Sequence, residues 1–365
     1  MSNAKINRTA SHLSHIVLAA LFLTGLQGCG NSGPTGTPPP PQATFQVEVF
    51  LNNLNFPVTL AFAPDGRLFF NELDTGNVRV IENGVLLSQA FATLPVATAG
   101  ERGLIGLAFD PQFTSNGFVY VLYSDISGVV QRVAQFNDLN SVGMNQFPLI
   151  DNLPSTSNHN GGNIGFGQDG QLYITLGDST DPANSQDENS LSGKILRYNS
   201  DGTIPTDNPF GATNPAFNLG LRNSFDFTFH PQTGTIYASE NGPNCDDELN
   251  RIVAGENYGW RPGQPCGDTN INFIAPLTRF NPVIAPTGVT FYTGSAFPQF
   301  VNNLFLVDFL DGRVRRFAVD ENQQGMITET EILVDGGFGS LLDIVEGPDG
   351  FLYFSSETAI MRIVP

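Results

Sequence analysis

From about residue 45 onward, apolar and polar positions alternate in short runs, as in Leu172-Tyr173-Ile174-Thr175-Leu176. That is the period of a strand, not of a helix. The runs are joined by turns in which Pro presets φ and Gly accepts φ > 0, so the chain reverses at little cost. One unit, apolar-x-Phe-x-Pro-Asp-Gly-x-Leu-Tyr/Phe, recurs in degenerate form. It is clearest at Leu60 to Phe69, with Phe62, Pro64, Asp65 and Gly66, and at Ile344 to Tyr353, with Pro348, Asp349 and Gly350. Between them lie Leu107 to Tyr120, Ile164 to Tyr173, Phe227 to Tyr237 and Val289 to Phe305. Each copy predicts strand, turn, strand. The copies stand roughly 50 to 70 residues apart, about one four-stranded blade with insertions. We therefore expect an all-β fold, a six-bladed β-propeller spanning 44–365. Ligands of such a fold bind in the central channel, so functional residues should be scattered along the chain.

Composition agrees. The 39 Gly, 25 Pro and 30 Phe among 365 residues suit tight turns and aromatic packing on pleated surfaces. The formal net charge of -19 disfavours nucleic acid as a partner, because such a surface repels phosphate. The acids serve solubility, or some of them ligate Ca²⁺, a hard cation that takes oxygen ligands.

The N-terminal region reads as an address. Lys5 and Arg8 precede an apolar stretch, Ile16 to Leu26, too short to span a bilayer. It ends in Leu26-Gln27-Gly28-Cys29, which resembles a bacterial lipoprotein cleavage box, an ordinary signal peptide being the alternative. We expect a signal peptide over 1–29 with Cys29 lipidated, then a flexible Gly/Pro/Ser/Thr linker over 30–43. The protein would then be exported and held to the membrane by its lipid alone, facing the periplasm or the extracellular space. That oxidising setting permits a disulfide between Cys245 and Cys266.

Three constellations could carry chemistry. His159 lies in Asn158-His159-Asn160-Gly161-Gly162-Asn163, an imidazole in a tightly bending loop; a merely hydrogen-bonded loop His fits as well. His230, the other His of the mature chain, occupies a repeat turn. Arg222 and Asn223, before the fourth repeat, could grip a carbonyl or carboxylate, or Arg222 could lie over a blade edge. Asp246, Asp247 and Glu248 follow Gly242 and Pro243 in a loop suited to Ca²⁺, unless it is a solvated acidic turn.

In order along the chain, Gly100-Glu101-Arg102-Gly103, the His-Asn-Gly-Gly loop, Gly220-Leu221-Arg222-Asn223, Ser239-Glu240-Asn241-Gly242-Pro243, Asn257-Tyr258-Gly259-Trp260 and Ala285-Pro286-Thr287-Gly288 resemble a known family. It comprises the pyrroloquinoline quinone (PQQ)-dependent aldose sugar dehydrogenases and soluble quinoprotein glucose dehydrogenases, the glucose/sorbosone dehydrogenases. The resemblance covers nearly everything from about residue 45. It implies oxidation of an aldose at C1 to the lactone, with hydride passing to PQQ and electrons to an external acceptor. It makes His159 the general base and Arg222 the partner of the quinone oxygens, with Asn223 holding PQQ. The carbonyls of Gly242 and Pro243 would ligate Ca²⁺ beside the quinone, and Asp246, Asp247 and Glu248 match a structural Ca²⁺ region. Glu101 takes a polar channel position. Thr293 and Asp311 align with a Lys and an Arg that pair with PQQ carboxylates in the glucose dehydrogenases. Their loss predicts weaker cofactor binding unless Arg313, Arg315 or Arg316 compensates. The competing expectations are a non-catalytic propeller that binds glycans or protein partners, and a Ca²⁺-dependent lactonase.

Overall fold

The computed structural model describes residues 45–365. The expected signal peptide (1–29, with Cys29) and linker (30–43) lie outside the described residues. Six antiparallel sheets are present, and the innermost strands of successive sheets touch in a closed ring. This is the six-bladed propeller. Each sequence repeat supplies the first two strands of a blade, from Pro57–Phe62 with Leu68–Glu72 in blade 1 to Leu341–Glu346 with Leu352–Ser356 in blade 6. The outermost strand of blade 6 comes from the other end of the chain: Gln46–Asn52 pairs with Ala359–Val364. Blade 3 has three regular strands, and its outer edge is completed by an isolated bridge between Leu196 and Ala216.

The repeat Phe is an inter-blade contact. Phe62, Phe109, Phe166, Phe229 and Phe291 each meet, edge to face, an aromatic on the second strand of the preceding blade: Tyr353, Phe69, Tyr120, Tyr173 and Tyr237. Ring centroids 5.0–5.4 Å apart match the geometry that aromatic quadrupoles favour. In the sixth repeat Glu346 stands in the Phe position. It accepts hydrogen bonds from the backbone N–H and the hydroxyl of Thr293 in blade 5.

Nearer the axis, polar side chains stitch the blades together. Thr59 donates to the Ile105 carbonyl. Asn163 accepts from Leu107 N and donates to Asp226 at 2.7 Å. Asp226 accepts from Val289 N at 2.8 Å, and Thr287 donates to the Leu341 carbonyl at 3.0 Å. Asp343 closes the ring by accepting from Leu60 N at 2.6 Å. The first two strands are out of simple register in five blades, with a bulge beside residues such as Thr59 and Asp343. A bulge re-aims a side chain, here sideways toward the next blade.

Candidate active site

All innermost strands start on one face of the propeller, here the top. The loops before them therefore converge there with the ends of the second strands. His159, Arg222, Asn223 and Glu101 all precede innermost strands, and the fold brings them together. The Pro-Asp-Gly turns lie on the bottom face. His230 sits in one of them, its Nδ1 accepting from Gln232 N and Thr233 N, which is the turn role expected.

The His159 loop is shaped by close approach. Gly161 has φ +76°, and a Cβ there would stand 2.3 Å from the Thr175 carbonyl oxygen. His159 itself has φ 57°. Its backbone N–H donates to Glu101 Oε2 at 2.6 Å, and Asn223 Nδ2 reaches the same oxygen at 3.4 Å. Asn223 Oδ1 in turn accepts from Gly161 N at 3.0 Å. Glu101 and Asn223 thus hold the loop that carries the imidazole. The imidazole Nδ1 lies 2.6 Å from Asp178 Oδ1, and Nε2 lies 2.9 Å from Arg222 Nη2.

Arg222 is largely enclosed. Its Nη1 donates to the Asn241 carbonyl at 2.7 Å, its backbone N–H donates to Glu240, and its guanidinium lies 5.6 Å from the Trp260 ring. Burial pulls its pKa down, opposed by the charges of Asp178, Glu101 and Glu240. Among the described residues, Nε is buried without a hydrogen-bond partner. Glu240, fully enclosed beside Glu248, has its pKa pushed well up, chiefly by burial. Arg222, Gly242, Pro243, Trp260 and Gln264 line a narrow cleft.

Asp178 and Glu240 were not anticipated as site residues. Asp178 accepts from Trp260 Nε1 at 2.8 Å through its other oxygen and is wholly buried. It follows the second strand of blade 3, as Gly242 follows that of blade 4. Reading that register across the repeats could have pointed to it.

The acidic triplet departs from expectation. Asp246, Asp247 and Glu248 do not face one point, and among the described residues no group of three acidic, His or Cys side chains is placed to hold a metal ion. Asp247 accepts from Gly242 N, Ile284 N and Ala285 N, each at 2.7 Å, so both oxygens serve the backbone. Asp246 accepts from Gly267 N, and Glu248 pairs with Arg279 and Asn250. The reason is local: residues from Asp247 onward form a strand, whose side chains alternate between faces. Asp246 and Glu248 still line the cleft beside Gly242 and Pro243, whose carbonyls are the candidate ligands for a cation. Neither oxygen accepts a backbone hydrogen bond among the described residues.

Thr293 is also corrected. It lies beyond the far end of Pro286–Phe291, on the bottom face, about 20 Å of strand away from the loops that carry His159 and Arg222. Its partner is Glu346, and it cannot contact a ligand at the top. Asp311 does lie on the top face, in the hairpin joining Leu304–Asp308 to Arg313–Asp320. The compensating arginines are engaged: Arg313 with Asp311 and Asp335, Arg315 with Asp308, Asp311 and Glu329, and Arg316 with Glu331.

The loops on the top face of this six-bladed propeller thus carry a His–Arg–Asp centre. The Glucose / Sorbosone dehydrogenase family model matches residues 54–364, and the chain belongs to that family. An aldose sugar dehydrogenase of Escherichia coli (strain K12) is 30% identical over 354 residues, covering 88% of this chain and 94% of the relative. Quinoprotein glucose dehydrogenase B of Acinetobacter calcoaceticus is 32% identical over 255 residues, 59% of this chain and 52% of that one. The PQQ-bound aldose sugar dehydrogenase of Streptomyces coelicolor superposes with a TM-score of 0.78 at 25% identity, over 89% of this chain and 99% of that one.

Proposed function

We propose that this oxidoreductase oxidises an aldose at C1 to the lactone, with His159 taking the hydroxyl proton and PQQ as cofactor. The observation that carries the reading is the Asp178–His159–Arg222 line, ending in a buried Arg222 Nε without a partner. A planar group bearing carbonyl oxygens fits against that guanidinium, and a Ca²⁺ fits the free carbonyls of Gly242 and Pro243. PQQ bound there supplies the two-electron acceptor for the hydride leaving C1. The chain's own residues orient and deprotonate. Asp178 fixes the imidazole, Glu101 and Asn223 hold its loop, and Arg222 offers donors to developing negative charge. An external acceptor then removes the electrons. We also propose export, with attachment to the membrane through a lipid on Cys29.

Calorimetric titration of PQQ into the apo-protein, with and without Ca²⁺, followed by dye reduction over a sugar panel, tests this. Saturable binding and sugar-dependent turnover are expected; neither PQQ binding nor turnover would overturn the reading. One observation favours a second reading, a propeller that only binds glycans or protein partners: the top-face arginines of blade 5 are all ion-paired. Loss of turnover in His159→Ala would exclude it. Lactone hydrolysis without quinone would instead indicate a lactonase.

A further inference from the structure

Lys194 opens the third strand of blade 3, Lys194–Tyr198, and is wholly buried. Burial pulls its pKa down to about 8, opposed by the charges of Asp187 and Glu188. A cation is costly to keep in such a place. Its ammonium is directed at two backbone carbonyls, donating to Asn184 O at 2.8 Å and to Ser192 O at 2.9 Å. Each carbonyl belongs to a residue whose side chain holds the loop after the second strand. Asn184 Nδ2 donates to the Asp178 carbonyl at 3.0 Å, and Ser192 Oγ meets Ser179 Oγ at 2.8 Å. The ammonium thus grips residues 178 and 179 through two arms.

That grip has something to resist. Ser179 and Thr180 both have left-handed backbone, with φ 57° and 66°. This region crowds Cβ against a carbonyl oxygen, and a β-branched residue rarely adopts it. Such strain persists only where surrounding contacts over-determine the backbone. Here it keeps Asp178 turned toward the imidazole. Thr180 N donates at 2.8 Å to Asp178 Oδ1, the oxygen that lies 2.6 Å from His159 Nδ1. The end of the strand is seated as tightly, for a Cβ on Gly177 would stand 2.3 Å from the His159 carbonyl oxygen. Any relaxation at 179–180 therefore moves Asp178 relative to His159.

We infer that Lys194 is a positioning residue for the reaction, holding Asp178 against His159 by clamping the left-handed backbone at 179–180 through Asn184 and Ser192. The inference rests on the dehydrogenase reading above. Lys194 acts through Asp178, so its effect falls on the chemical step and not on the binding of sugar or quinone. The protein carries its own probe of this clamp. Trp260 is the single Trp of the chain, and its Nε1 donates to Asp178 Oδ2 at 2.8 Å, so its emission reports where Asp178 stands.

The test compares wild type, Lys194→Met and Lys194→Met with Thr180→Gly. Met keeps an apolar stem and removes the donors, whereas Gly adopts the left-handed region without penalty. Trp260 emission is read on the full chain before quinone is added, and kinetics after loading with PQQ and Ca²⁺. Lys194→Met should lower kcat roughly tenfold to a hundredfold, the scale of a displaced general base, with KM and PQQ affinity within about threefold of wild type. Its Trp260 emission should shift. Adding Thr180→Gly should raise kcat again by about threefold or more and return the emission toward wild type. An unchanged kcat, or a loss that Thr180→Gly does not relieve, overturns the clamp. If Lys194→Met does not fold, Asn184→Ala with Ser192→Ala cuts both arms and leaves the ammonium in place. The same loss and the same rescue are then expected, and an unaltered kcat overturns the proposal. If wild type oxidises no sugar, the dehydrogenase reading fails and the emission alone decides the clamp. A shift in Lys194→Met that Thr180→Gly reverses sustains it; no shift, or one that Thr180→Gly leaves, overturns it.

Discussion

The Nη2 nitrogen of Arg222 stands 2.9 Å from the Nε2 nitrogen of His159. A guanidinium has donors only, so Nε2 must be the acceptor, and the imidazole proton lies on Nδ1, donated to Asp178. The tautomer is thus set from both sides, with the Nε2 lone pair unprotonated and accepting from Arg222 until a hydroxyl takes that place. That is the state a general base needs before a hydroxyl arrives.

Asp178→Asn should therefore disable the base without emptying the site. Asp178 accepts from His159, Thr180 N and Trp260 Nε1, whereas a carboxamide has one acceptor oxygen and turns an N–H toward one of those donors. We expect kcat to fall at least about a hundredfold, the usual scale for a lost general base, with PQQ affinity changed less than about threefold. Steady-state dye reduction and calorimetry measure the two quantities. A normal kcat would show that Asp178 does not orient the imidazole.

What was legible in the sequence differs between the two faces of the molecule. Pro64-Asp65-Gly66 and its copies are recognisable because turn chemistry is local, and all of them fold onto the bottom face. Glu346 in place of the repeat Phe was visible, but its meaning needed Thr293 beside it. The top face is built from loops that do not repeat. His159, Arg222 and Asn223 stood out through their motifs, whereas Asp178 becomes meaningful only when blade 3 is laid against blade 4. The acidic triplet misled because three acids in a row look like one cluster, although a strand sends them to different faces.

Charge on the top rim gives a second prediction. Asp311 holds Arg313 and Arg315, each at 3.0 Å, where the resemblance called for a cation. Asp311→Asn removes a negative charge and releases guanidinium donors on the same face as Arg222. PQQ, a tricarboxylate, should bind at least about threefold more tightly to the variant, and the gain should shrink with added salt. Titration at two ionic strengths measures it; unchanged affinity at low salt would place the carboxylates elsewhere.

The disulfide makes a third. Cys245 and Cys266 are 21 residues apart with a Cα separation of 6.0 Å, and their bond restrains the connection over 253–277 of blade 4 in the unfolded chain as well as the folded one. A loop of this size contributes about 3 kcal/mol in the chain-entropy picture. Cys245→Ser with Cys266→Ser should lower the thermal midpoint by several degrees and raise KM for sugars more than it lowers kcat. A variant with wild-type KM would show that this connection holds its place without the bond.

The stitching acids set a pH dependence of stability. Burial pushes Asp226 up to about 6, and it pushes Asp343 well up too, helped by the nearby charge of Asp226. Both folded-state values exceed those of the unfolded chain, so the folded protein binds the extra protons. Stability from Asp226 is then greatest at low pH and declines as pH rises from about 4 through about 6, and Asp343 contributes a decline of the same sign. Asp226→Asn separates this from the other acids. The amide cannot accept from both Asn163 and Val289 N, so the variant is less stable throughout. It also lacks the buried charge that wild type carries at neutral pH. Its deficit should therefore be larger at pH 5 than at pH 7.5, by something on the order of 1–2 kcal/mol. Urea midpoints of both proteins at the two pH values measure the difference. A deficit that stayed constant, or grew with pH, would mean that Asp226 is ionised in the folded protein across the whole range.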